Sequence, residues 1–313
     1  MLYTVYRVYN IFLNFAIGFA KISAPPHGRG DVRFYHEGKE KQMKNCINAW
    51  SVKGDASFEE MFRDVKNAGF DGIELNVDRS GAHSLTEDIT DEALAEIKAL
   101  SDKYALPVVS ISTSLWGGCM AEDGNRAREV LIAQLRCAKA LGAGGILIVP
   151  GGNSDARPLR EAYKACLQNL SALTPEIDKY GLKVGVENVW NGFFSSPFDM
   201  ARFIDEIGHP LVGAYYDIGN TIAFSRTEDW IEILGERIQH THIKGFKRNR
   251  GIHSGGIWCN IAESSVDWTS VKKTLQSIGY TGTVTAEVGK TEANQTWEDY
   301  YAMVKKEIDV IVK

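Results

Sequence analysis

Four short, mostly apolar runs end in residues that could hold a cation or move a proton. They read Lys183-Val-Gly-Val-Glu187, Gly213-Ala-Tyr-Tyr-Asp217, Ile238-Gln-His240-Thr-His242 and Thr283-Val-Thr-Ala-Glu287. A lone strand-end carboxylate more often caps a helix or pairs with arginine. Four such runs in order point to a shared site. Carboxylates from Glu, Asp and a second Glu, with one imidazole nitrogen, suit a single divalent cation bound mainly by oxygen. For residues this far apart to meet, something must bring the ends of the four runs to one place. A parallel β/α barrel does so, because the carboxyl ends of all its strands open onto one face.

The rest of the chain carries the elements such a barrel needs. Candidate strands fall at 45–51, 72–76, 107–113, 145–150, 183–188, 213–217, 239–244 and 283–288. Between them run helix-like stretches at Ser57–Ala68, Thr90–Tyr104, Asp123–Leu141, Arg157–Tyr180, Pro197–Ile207, Thr227–Leu234 and Asp267–Ile278, with Trp297–Val312 last. Ser57, Thr90, Asp123, Ser196 and Asp267 are suitable N-caps, and Gly69, Gly142, Gly181, Gly208 and Gly279 fall where helices often stop. Eight strand–helix alternations predict an α/β chain folded as a single (β/α)8 barrel over residues 43–313, rather than an open doubly wound sheet. Two stretches interrupt the rhythm, 117–124 and 246–266. Both follow a strand, so both belong to the face that carries the site, where long loops form walls or lids.

Composition sets outer limits. The chain has 313 residues, about what one barrel of roughly 250 residues plus an extension requires. A net charge of −5 gives no basic face for nucleic acid. The five cysteines are scattered, with no Cys-x-x-Cys pair, which fits reduced thiols and a cytoplasmic location and offers no structural zinc site. Residues 1–42 read as an extension outside the fold: non-native, signal-like or disordered. The apolar run Val8–Ala20 is interrupted by Asn10 and Asn14 and is shorter than the roughly 20 apolar residues of a membrane span. The tract Glu37-Gly-Lys-Glu-Lys-Gln42 could be encoded by purine-rich codons resembling a ribosome-binding site just before Met43, so the preferred expectation is a start at Met43, with a signal segment second. No membrane partner is expected.

Several motifs together carry a family resemblance. Val186-Glu187-Asn188, Asp217-Ile-Gly-Asn220, His240-Thr-His242-Ile-Lys244, Val266-Asp267-Trp268, Gly279-Tyr280-Thr-Gly282 and Ala286-Glu287 resemble the xylose-isomerase-like sugar isomerase and epimerase superfamily. The arrangement is similar to that of ketose 3-epimerases and runs from about Met43 to the end. The resemblance implies a TIM barrel of carbohydrate metabolism with one divalent cation, manganese first and magnesium or cobalt as alternatives. It places the metal ligands on Glu187, Asp217, His242 and Glu287. It also implies the chemistry: a cation polarises a ketone, one glutamate removes the proton from the neighbouring carbon, and another returns a proton to the opposite face. Glu187 and Glu287 are the expected acid/base pair, and C3 of a ketose or ketose phosphate the expected centre.

Other residues are candidates for substrate contact. Asn220 stands where ketose 3-epimerases carry a substrate-binding histidine; it can hydrogen-bond but brings no cation. Arg248 matches a substrate-contacting arginine of those epimerases and could hold a ketose oxygen or a phosphate, while Lys244 could reach a phosphate or face solvent. Glu74, in the second strand, is expected to point into the polar mouth, because a buried carboxylate needs partners. Trp116 and Trp190 lie at or beyond strand ends and could stack on a sugar, although core packing accounts for either. His240 shares a face with His242 but one layer deeper, which suits a hydrogen-bonded support rather than a ligand. Related keto-sugar lyases, dehydratases and aldose–ketose isomerases use the same carbanion logic and are the nearest rivals. A non-catalytic sugar-binding protein is the rival of a different class. Apurinic-site endonucleases need a richer histidine set, which Asn220 breaks. A homo-oligomer is compatible with all of these readings.

Overall fold

The computed structural model describes residues 42–152 and 157–313. The 1–42 extension expected from the sequence therefore lies, but for Gln42, outside the described residues.

Eight parallel strands close into a barrel. In chain order they are β1 (Lys44–Asn48), β2 (Gly72–Asn76), β3 (Val108–Ser112), β4 (Gly145–Ile148), β5 (Lys183–Glu187), β6 (Val212–Asp217), β7 (Ile238–Ile243) and, after a two-stranded hairpin of β8 (Gly245–Arg248) and β9 (Gly256–Cys259), β10 (Thr283–Ala286). The barrel runs β1-β10-β7-β6-β5-β4-β3-β2 and closes on β1. All eight expected strands are present, and the short apolar run Gly-Ile-Leu-Ile of β4 is buried throughout, as a strand covered on both faces must be.

Helices surround the ring, and their ends are set by the residues the sequence marks. Ser57 accepts a hydrogen bond from the Glu60 amide while the Glu60 carboxylate accepts from the Ser57 amide, a reciprocal cap. Thr90, Asp123, Ser196 and Asp267 each accept from an amide in the first turn of their helices.

Three features differ from the sequence expectation. The helix expected over Arg157–Tyr180 is two, Leu159–Ala172 and Thr174–Tyr180. Pro175 has no N–H to continue the ladder, and the break falls beside it. A single turn, Cys119–Glu122, precedes the helix Gly124–Leu141. The 246–266 stretch is not a plain loop: β8 and β9 pair antiparallel, with Phe246 opposite Trp258 and Arg248 opposite Gly256.

Register aligns the carboxyl ends. Tyr215 lies beside Glu187, His242 beside Asp217, and Thr285 beside His242. Among the described residues no helix is long and apolar enough to cross a membrane.

Candidate active site

In barrel order, β5, β6, β7 and β10 are consecutive, and each ends at or within one residue of one of the four expected ligands. One ligand atom from each of Glu187, Asp217, His242 and Glu287 lies within 4.8 Å of the others. Atoms sharing one cation at bond lengths of about 2.0–2.6 Å can be no more than roughly 4–5 Å apart, so the cluster is close to a coordination shell already. Glu187, Asp217 and His242 are buried, and Glu287 is partly open.

Two of the candidate ligands, Asp217 and His242, are held by their surroundings. Asp217 Oδ1 accepts the Asn220 amide at 3.0 Å, and the Asp217 backbone exchanges two 2.8 Å hydrogen bonds with the Asn188 side-chain amide. His242 Nδ1 faces the cluster, 3.3 Å from Glu187 Oε1 and 3.0 Å from Glu287 Oε2. Its other nitrogen, Nε2, lies 2.6 Å from Glu74 Oε1. Glu74 is fully buried and also accepts from Asn48 Nδ2, Ser110 Oγ and Tyr215 Oη. Burial disfavours its charge, but the His242 imidazole and these donors hold its carboxyl at about 2. An ionised carboxylate only accepts, so Nε2 carries a proton and donates it. That arrangement leaves Nδ1 aimed at the cluster, as in the carboxylate–histidine pairs that support metal ligands.

Glu74, expected to point into the mouth, is instead buried against His242. The reason is depth: its carboxylate is enclosed by donors from β1, β3, β6 and β7.

Lys244 turns its ammonium to the cluster, 2.8 Å from Asp217 Oδ2 and 3.2 Å from Glu287 Oε2, with its side chain 18% exposed. Burial opposes its charge, yet Asp217, Glu287 and Glu187 raise it above the ordinary lysine range. Similarly, burial alone would lower His242, but Glu74 and the two glutamates push it well up. Burial pushes Glu187 up, whereas Glu287, beside Lys244 and His242, is held down despite its burial.

Trp116 lies in the core, the alternative left open from the sequence: it is 1% exposed and its indole N–H donates to Leu147 O. Trp190 stays at the surface, half exposed, with its indole N–H donating to Asn220 O at 2.6 Å. Its ring packs against Trp258 and Phe246 of the hairpin. Asn220 is buried, and its side-chain N–H donates to Asn188 O, so this amide ties two loops together. Arg248 is half-buried on β8, and its Nε has no hydrogen-bond partner among the described residues. His240 sits one layer below His242, stacked on Tyr215 at 5.1 Å, with Nδ1 2.9 Å from Thr283 Oγ1. Burial lowers it to about 4, so it is neutral. Tyr215, Asn188, Ser110 and Asn48 were not singled out for roles from the sequence. Strand alternation carries a signal for Tyr215, which shares a face with Asp217.

The residues fit a divalent cation. Three carboxylates and one imidazole nitrogen are a hard, oxygen-rich donor set. Asp217 Oδ2 is buried without a hydrogen bond among the described residues, and the cation beside it is the Lys244 ammonium at 2.8 Å.

A closed parallel barrel with a carboxylate–imidazole cluster at its carboxyl end defines a class of metal-ready barrels whose chemistry lies at the mouth. The matching family model is described as xylose isomerase-like TIM barrel and covers residues 62–307, and the chain belongs to that family. A fructoselysine 3-epimerase of Escherichia coli O157:H7 is 23% identical over 195 residues, covering 59% of this chain and 70% of that protein. The apo structure of a 3-keto-D-glucoside 4-epimerase from E. coli superposes with a TM-score of 0.68 at 18% identity, covering 86% of this chain and all of that one. The IolI protein, solved with a bound zinc atom, gives 0.70 at 19% identity, covering 86% of this chain and 98% of its own. These two structural likenesses concern the fold.

Proposed function

We propose that this chain is a divalent-metal-dependent sugar epimerase that inverts the carbon beside a ketone, with C3 of a ketose or ketose phosphate as the centre. The observation that carries the reading is the convergence of Glu187, Asp217, His242 and Glu287. A cation held by these four, manganese by preference, supplies Lewis-acid polarisation of the ketone.

The chain's own residues do the rest. One of Glu187 and Glu287 takes the C3 proton onto a carboxylate oxygen, the electron pair of the broken C–H bond forms a C2–C3 π bond, and the C2=O π pair moves onto O2. The other glutamate, protonated, delivers its proton to the opposite face of C3: the pair on O2 re-forms C2=O, the C2–C3 π pair forms the new C–H bond, and the product is an isomer of the substrate. Glu74 fixes His242, and Asn188 with the Asn220 amide fixes Asp217, so that the two glutamates work beside ligands that do not move. The names of two similar proteins, a fructoselysine 3-epimerase and a 3-keto-D-glucoside 4-epimerase, support epimerisation as the type of reaction.

The test is incubation with a panel of ketoses and keto-sugars in heavy water with manganese, read by NMR. Deuterium at C3 together with the epimer is expected. Glu187→Gln and Glu287→Gln, checked for retained metal, should each lower turnover about 10²–10⁴-fold. Deuterium at C1 alone, or full turnover in either metal-loaded variant, would overturn the assignment.

A further inference from the structure

The proton-transfer scheme leaves one buried cation unused. Lys244 touches oxygens of two of the four candidate ligands, Asp217 Oδ2 at 2.8 Å and Glu287 Oε2 at 3.2 Å, with its side chain only 18% exposed. Its backbone and β-carbon press against Gly219, where an added β-carbon would collide with them. Three carboxylates packed this closely repel one another and lose hydration, which is costly unless cations compensate. The ammonium supplies that compensation at Asp217 Oδ2, the oxygen with no hydrogen bond. A divalent cation binding there would need the same oxygens.

We propose that Lys244 is the resident counter-ion of the site. It holds Asp217 and Glu287 together while no metal is bound, and it sets how tightly metal binds by competing for their oxygens. Lys244 is on this view a positioning residue. The inference rests on the reading of Glu187, Asp217, His242 and Glu287 as metal ligands.

The experiment compares metal-stripped wild type and Lys244→Met by manganese calorimetry and by thermal melting. Methionine keeps an unbranched stem and removes the charge. The variant should bind manganese about tenfold more tightly or better, since close charge pairs couple at that level. Its metal-stripped melting temperature should fall, and saturating manganese should restore most of the loss. A lysine with only a packing role would do the reverse, because loosening the site weakens manganese binding. Equal or weaker binding by the folded variant overturns the proposal and leaves the ligand assignment intact. If Lys244→Met does not fold, Lys244→Gln carries the same measurement. Wild type that takes up no manganese, or an Asp217→Ala variant that binds it as wild type does, overturns the ligand assignment and this inference together.

Discussion

Replacing Glu74 by glutamine tests whether the metal site depends on a residue that never reaches it. Glutamine keeps the shape and removes the charge. Glu74 Oε1 accepts from His242 Nε2 and Asn48 Nδ2, and Oε2 from Ser110 and Tyr215. The two hydroxyls can turn and accept from the new NH2 group, so glutamine's oxygen stays toward His242 and the geometry survives. What disappears is a buried anion facing the imidazole. Breaking a buried charge pair costs about 3–5 kcal/mol, and retention of the hydrogen bonds favours the lower end, about 3 kcal/mol. At about 2–4 °C per kcal/mol for a domain of this size, the melting temperature should fall by roughly 6–12 °C. A less basic His242 should also weaken manganese binding by about 10–100-fold, the usual effect of losing a ligand's support. Thermal melting of metal-stripped protein and manganese calorimetry read the two effects separately. Unchanged manganese affinity in a folded Glu74→Gln variant would refute the coupling between Glu74 and the site.

Three further outcomes follow from the same geometry. Asp217→Ala should weaken manganese binding by roughly a hundredfold or more, beyond the loss of a supporting group, and Asp217→Asn, which keeps an acceptor for the Asn220 amide, separates lost charge from lost capping. Gly185→Ala places a β-carbon 2.8 Å from the Tyr215 β-carbon, so urea unfolding should show a loss of about 1–3 kcal/mol as Tyr215 is pushed from Glu74. Trp116→Ala removes a core residue and should cost about 3–5 kcal/mol of stability, while KM for any accepted sugar stays unchanged; a selective rise in KM would return Trp116 to the substrate.

The barrel was legible in the sequence because its signals are local. Apolar runs of four to six residues, helix-capping side chains and terminal glycines repeat at each unit, and all eight strands fall where these signals place them. The four candidate ligands were legible because each stands at or beside a strand end. Depth within the ring was not. Glu74 is visibly on a strand, but that it lies beneath His242 follows from the register of β2 against β1 and β3, which one sequence does not encode locally. Lys244 shares a parity with His242, yet β7 ends at Ile243, so alternation no longer fixes its direction. The hairpin escaped notice because Gly245-Phe-Lys-Arg248 and Gly256-Ile-Trp-Cys259 are short and open on glycine. Trp116 follows β3, where sequence gives no cue to whether the ring turns inward.

The bond between Glu74 and His242 joins residues 168 positions apart. All four candidate ligands come from the later half of the chain, so a half-barrel could bring them together by pairing β5, β6, β7 and β10 alone. It would lack the anion that aims His242. That anion belongs to β2, which reaches its position only when β10 and β2 both dock on β1 and the ring shuts. Such distant contacts form late, after the entropy of closing a long loop has been overcome. A full grip on a cation is therefore expected only once the ring is closed, and manganese affinity would then gauge whether the two halves of the barrel have met.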